Sequence, residues 1–418
     1  MSKRVLALLF ALIFLLSACA VTNDASSADV SGDASSETAE SSADISSTSS
    51  AGSTSSEASS EVSSEDSSES SGEISAETSS ELSTEASSET SSEETSDETT
   101  VDDGIKKEQV VDGLLIDVND RIMEIFSYSD KNKGGKTYAA IMNDFYTELQ
   151  KQDANIKLYS MVIPKACAYY LSETKTYPHK ADCTLIALQH IADNLDSGII
   201  NVDVYNALLP HKDENIYFRT DYHWAPLGAY YAAEALAEAA GVPFDDISCY
   251  DSTTREGFLG ALYPLVKLSR IKNNPDTFTV YKDTKYTYGT DYTVTYHDYG
   301  NFKKSYEHDI FYDISDDNYT AWYLTYLAGD SKAVHIKSNT CKNGRRLVIL
   351  KESYGNPLPA YLLGSFEEIW ILDIRYFKDN ILDFVAEYGI TDVSVSLSMP
   401  SVVGSKQNYI KTLMKQGR

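Results

Sequence analysis

Residues 346–357 read Arg-Leu-Val-Ile-Leu-Lys-Glu-Ser-Tyr-Gly-Asn-Pro, and the way this stretch folds decides the architecture. Arg346 to Leu350 is a short apolar run, the pattern of a central strand buried on both faces. Ser353 follows in a tight turn, and Leu358 to Leu363 begins a helix. A strand whose carboxyl end leads into a helix is the unit of a parallel sheet. A serine at that point sits where hydrolytic nucleophiles of α/β proteins sit, beneath amides able to stabilise an oxyanion. Taken alone, Ser353 is equally a helix N-cap.

Working outward, strand and helix patterns alternate on either side. Gly113 to Ile116, Lys157 to Pro164, Gly198 to Val204, Glu368 to Asp373 and Asp392 to Leu397 read as strands. Tyr138 to Gln152 has helical spacing through Ile141, Phe145 and Leu149, and Cys183 to Leu195 and Ile381 to Tyr388 also read as helices. Pro226 to Ala240 is a strong helix, with Pro in its first turn and Gly241 at its C-cap. The fold class is therefore α/β, a mostly parallel sheet covered on both faces.

One stretch departs from this alternation. Thr277 to Tyr326 carries 11 Tyr and little helix signal, and residues at about 275–330 read as a Tyr-rich β insertion. Lys285 to Tyr288 and Tyr292 to Tyr296, joined through Gly289-Thr290-Asp291, suggest a β-hairpin with Tyr on one face. Such a stripe can stack on sugar rings; cross-strand packing over the core is the plainer reading.

The chain of 418 residues has a formal net charge of −28, but that charge is unevenly placed. Lys3 and Arg4 precede an apolar run from Val5 to Leu16, too short to span a bilayer and suited to a signal peptide over residues 1–19. Leu16-Ser17-Ala18-Cys19 resembles a bacterial lipobox, which implies cleavage and lipidation at Cys19. Residues 20–103 hold 31 Ser, 22 acidic residues, no Lys or Arg and no aromatic, with Glu at every fourth position from Glu57 to Glu93. Like charges at i and i+4 oppose a helix, and nothing apolar is available to bury, so a disordered, self-repelling linker is expected. Its reach is about 50 Å as a flexible coil. Residues 104–418 form the folded domain and hold all 30 Tyr. Their net charge of −8, from 33 basic and 41 acidic residues, argues against nucleic acid. Cys167, Cys183, Cys249 and Cys341 admit three disulfide pairings or none, and no spacing suggests a metal site.

The second chemistry-bearing block is Arg219-Thr-Asp-Tyr-His-Trp224, just before the Pro226 helix. Asp221 and His223, two apart in a turn, can point the same way, so that the carboxylate holds Nδ1–H and leaves Nε2 as a base. The spacing alone is also that of an Asp cap and a packed His. Arg219 can hold an acyl or sugar oxygen or form a surface ion pair. Asn356 and Gly260 can each donate to an oxyanion or serve only turn chemistry.

Together, these blocks resemble the DHHW family of Gram-positive surface proteins, named for an Asp-His-His-Trp motif. That family in turn resembles the SGNH-hydrolase-like domains of alginate O-acetyltransferases. The resemblance runs through Asp112-Gly-Leu-Leu-Ile, Asp120-Arg-Ile-Met-Glu, Val162-Ile-Pro and Tyr217-Phe-Arg-Thr-Asp-Tyr-His-Trp. It continues in Leu227-Gly-Ala-Tyr-Tyr, Phe258-Leu-Gly-Ala-Leu-Tyr, Lys351-Glu-Ser-Tyr-Gly-Asn and Asp373-Ile-Arg-Tyr-Phe. Tyr222 stands where the tetrad has its first His. The resemblance implies an SGNH-like three-layer sandwich, with Ser353 as nucleophile, His223 as base and Asp221 as orienter. It implies no cofactor. It also implies O-acetylation or de-acetylation of a cell-wall or exported polysaccharide, with a membrane-bound O-acyltransferase as partner. The location implied is the outer face of the cytoplasmic membrane, through the lipid on Cys19. The competing reading is a non-catalytic carbohydrate- or wall-binding protein with a relict triad.

Overall fold

The computed structural model describes residues 107–171, 181–314 and 319–417. The expectations for the signal peptide, Cys19 and the linker fall outside these residues.

A mixed sheet of eight strands forms the centre. Its strands are β4 (Lys157–Ile163), β5 (Ile200–Val202), β8 (Tyr292–Asp298), β9 (Asn301–Glu307), β10 (Lys332–Ser338), β11 (Arg346–Lys351), β12 (Glu368–Asp373) and β13 (Asp392–Ser398). The order is β5-β4-β13-β11-β12-β10-β8-β9. The first five strands are mutually parallel, and the last three extend the sheet antiparallel from β12. Every residue of β13 is buried, as are all of β11 after Arg346, so both faces of the sheet are covered.

The helices fall into two groups. Helix α1 (Gly134–Gln152) packs with α2 (Ala181–Ala192), α4 (Ile381–Glu387) and the C-terminal α5 (Asn408–Leu413). Small residues of the strands admit close approach here: Tyr138 of α1 shares a 3.1 Å hydrogen bond with the fully buried Ser160 of β4. Helix α3 (Pro226–Ala240) contacts β5 and the short helix Val204–Leu208 instead. It ends as its sequence predicts, on Gly241 at φ 67°. Two smaller sheets complete the domain, β1-β2-β3 (Gln109–Val111, Leu114–Ile116, Ile122–Glu124) and β6-β7 (Tyr250–Phe258, Asp276–Asp283). All four described cysteines are free thiols.

Two expectations are corrected. The Tyr-rich hairpin does not form between 285–288 and 292–296: β8 pairs with β9 and β10, so these strands extend the central sheet. Residues 287–291 close into a loop instead, because the Asp291 carboxylate accepts from Thr287 N at 2.9 Å and Gly289 turns at φ 80°. Burial alternates along β8, placing Tyr292, Val294 and Tyr296 inward as packing residues. Nor does an α-helix form from Leu358 to Leu363. The chain forms two short 3₁₀ turns, Ser353–Gly355 and Leu358–Tyr361, since Pro357 and Pro359 remove amide donors. Among the described residues no helix is long and apolar enough to cross a membrane.

Candidate active site

At the carboxyl end of β11, Lys351 is buried, and its amine reaches Asp330 at 2.7 Å and Asp373 at 3.3 Å. Arg375 bridges the same two carboxylates at 2.6 and 2.7 Å. Two positive and two negative charges therefore cancel beneath the turn, as burial of charge requires. Burial alone would raise the Asp330 carboxyl, but Lys351 and Arg375 outweigh it and hold it below the usual carboxylate range.

The next residue, Glu352, is also buried, and it accepts from Ser398 N at 2.8 Å and Ser401 Oγ at 2.7 Å. It thereby ties the turn to the end of β13. A side chain on Gly355 would put its Cβ 2.5 Å from Lys351 Cβ, so the turn closes only with glycine there. Ser353 is left partly exposed on this rigid base.

The second block is held from another direction. Buried Asp276, the first residue of β7, accepts from Arg219 N, Thr220 N and Thr220 Oγ1 at 2.9, 2.8 and 2.7 Å. The loop closes through Ala225 N to Ile216 O at 3.0 Å and a bridge between Tyr217 and Trp224. On it, Asp221 Oδ1 accepts from both His223 N and His223 Nδ1 at 2.8 Å, while Oδ2 accepts from Ala261 N at 2.7 Å. Burial pushes the Asp221 carboxyl up, but His223 and these amides more than reverse that and keep it ionised. An ionised carboxylate only accepts, so Nδ1 carries the hydrogen, and in the neutral imidazole Nε2 carries the lone pair. Nε2 lies 2.8 Å from Ser353 Oγ.

The two blocks lock together reciprocally. Trp224, fully buried, donates from Nε1 to Tyr354 O at 2.8 Å, and the Tyr354 hydroxyl donates back to Tyr222 O. The His223 ring stacks on Tyr323 at 4.1 Å and 11°, and Tyr222 lies against it at 4.1 Å and 38°.

The structure thus brings Ser353, His223 and Asp221 into one hydrogen-bonded row and separates the secondary candidates from it. The Arg219 guanidinium is taken up by Asp276 at 2.9 Å and by the carbonyls of Asn274 and Pro275, so it braces the loop rather than holding a substrate oxygen. The Gly260 amide is taken up by Thr220 Oγ1 at 2.9 Å, and its place is steric: a Cβ there would lie 2.3 Å from Asp221 Cβ. Asn356 is buried near Asp330, with its Oδ1 without a hydrogen-bond partner. Sequence reasoning missed Ala261, Asp276, Asp330 and Tyr323. Ala261 lies inside the Phe258-Leu-Gly-Ala-Leu-Tyr block, and only that membership signals it; for the other three no local pattern does.

The sequence matches the DHHW protein family over residues 21–372. It is 39% identical to a DHHW family protein from Eubacterium siraeum DSM 15702, whose solved structure superposes with a TM-score of 0.63, covering 73% of this chain and 96% of that one. Bacillus cereus PatB1, solved with a sulfonyl adduct, is 17% identical with a TM-score of 0.59, covering 75% of this chain and 100% of that one. The O-acetyltransferase domain of Pseudomonas putida AlgJ is 15% identical with a TM-score of 0.41, covering 74% and 99% respectively. No curated protein matches the sequence. With the family matched over most of its length and its motif blocks joined at one site, this chain belongs to the DHHW family.

Proposed function

We propose that the chain is an acyl-transfer enzyme acting on short acyl groups, acetyl above all. The observation that carries this reading is the row Ser353 Oγ, His223 Nε2, His223 Nδ1, Asp221 Oδ1, with both contacts at 2.8 Å. Ser353 Oγ attacks the acyl carbonyl while its proton passes to His223 Nε2, and Asp221 stabilises the imidazolium. The tetrahedral carbon then releases the donor's oxygen, which takes the proton from His223. A second hydroxyl, deprotonated by His223, attacks the acyl-serine and restores the enzyme. With a polysaccharide hydroxyl as acceptor the reaction is O-acetylation; with water it is ester hydrolysis.

The acceptor in this reading is a cell-wall or exported polysaccharide, and a membrane-bound O-acyltransferase supplies the acyl group. Lipidation at Cys19 holds the chain to the outer face of the membrane, and residues 20–103 act as a spacer.

The test is turnover of 4-nitrophenyl acetate and labelling by a serine-reactive phosphonate. The expected result is turnover and labelling of the wild type, both abolished in Ser353→Ala. Absence of turnover with any acyl ester, or labelling that persists in Ser353→Ala, would sink the reading.

A further inference from the structure

An acyl-transfer site needs hydrogen-bond donors aimed at the oxygen that becomes negative. The donors the sequence offered as candidates are taken up or buried elsewhere. Gly260 N donates to Thr220, Asn356 is buried, and the short 3₁₀ turn after Ser353 presents no helix N-terminus.

Tyr222 occupies the gap. It is partly exposed, as Ser353 is, whereas Asp221 and His223 on either side of it are buried. Its main chain is fixed by the Tyr354 hydroxyl, and its ring rests on His223 at 4.1 Å. Its hydroxyl lies close enough to Ser353 for the two side chains to interact. Burial, assisted by Asp221 and Asp330, pushes the phenol above its ordinary value, so it remains a neutral donor at neutral pH.

We propose that Tyr222 is a catalytic residue that donates its hydroxyl hydrogen to the oxyanion formed when Ser353 attacks. This rests on the acyl-transfer reading above. No proton is transferred: the phenol keeps its hydrogen, and its hydroxyl, beside Ser353 in the resting site, donates to the former carbonyl oxygen in the tetrahedral intermediate. Position 222 then contributes chemistry in this chain, rather than merely separating Asp221 from His223.

The experiment compares wild type, Ser353→Ala and Tyr222→Phe, each as the full chain, with 4-nitrophenyl acetate. Removing one oxyanion donor costs about 10²-fold in kcat. Tyr222→Phe is therefore expected to lose about that factor, with KM within about threefold and an unchanged melting temperature. A second measurement covers the case in which the Phe variant folds poorly. Fluorotyrosine incorporated at position 222 preserves the ring and acidifies the hydroxyl. Its turnover is expected to fall as pH rises through the lowered phenol pKa, a limb displaced from that of the wild type. Ser353-dependent turnover that survives in Tyr222→Phe, or a fluorotyrosine profile superimposable on the wild type's, overturns the role of Tyr222 alone. A wild type no more active than Ser353→Ala overturns the acyl-transfer reading and this inference together.

Discussion

Asp221 makes its three contacts with two oxygens, one facing His223 and one facing Ala261 N. Asp221→Asn keeps the shape but introduces an amide nitrogen that accepts nothing. Whichever way the amide turns, either the His223 tautomer or the Ala261 contact is lost. Turnover of 4-nitrophenyl acetate is expected to fall by about 10³- to 10⁴-fold with little change in KM; a loss under tenfold would deny Asp221 its orienting role. Asp330 makes a prediction about pH. Its folded carboxyl is depressed by Lys351 and Arg375. A depressed carboxyl adds stability above the ordinary Asp value of about 3.9, and that stability is lost as pH falls toward the folded value. Asp330→Asn breaks a buried ionic cluster, which costs about 3–5 kcal/mol. In urea titrations the gap between wild type and Asp330→Asn should be constant above about pH 5 and close only at lower pH. A gap that opens on acidification contradicts this.

At the scale of elements, the site depends on two turns that meet. Trp224→Phe keeps most of the buried ring but leaves Tyr354 O without its donor. The expected cost is about 1–3 kcal/mol. Turnover should fall more than the melting temperature suggests, because the same bond places Ser353 against His223. Glu352→Ala strands the Ser398 amide, buried where β13 ends. It should cost a similar amount and should disturb hydrogen exchange at residues 398–401 before that of the other strands. Equal protection in variant and wild type would show that Glu352 does not tie the turn to β13. Sheet composition follows the same logic. Five parallel strands with both faces covered carry the site at their carboxyl ends, and the antiparallel extension brings in Tyr299, whose hydroxyl accepts from Asp373 N at 2.8 Å.

For the whole molecule, the net charge of −28 says little about the substrate, because most of it lies in residues 20–103. The proposed anchor is tested by Cys19→Ser, which should release the chain into the medium and abolish incorporation of labelled fatty acid; retention on membranes would refute it. Much of the fold was legible locally. Helix α3 begins and ends where Pro226 and Gly241 place it, and β12 coincides with its apolar run, since capping and periodicity are properties of neighbouring residues. The identities of Ser353, His223 and Asp221 were legible as two motif blocks. The places of Gly260 and Asn356 were not, for residue type left each open between donor and turn roles, while the partner of Gly260 N, Thr220 Oγ1, comes from a distant segment. The Tyr-rich stretch misled for a related reason: alternation marks a strand but not the strand it pairs with. The sequence by itself determined the strand–turn–helix units, the uneven charge and the residue types able to do acyl chemistry. Only the tertiary structure decided that His223 and Ser353, 130 residues apart, share a hydrogen bond. That contact depends on strand order, on buried ions and on two interlocking turns, whose energies arise between segments that no local pattern connects.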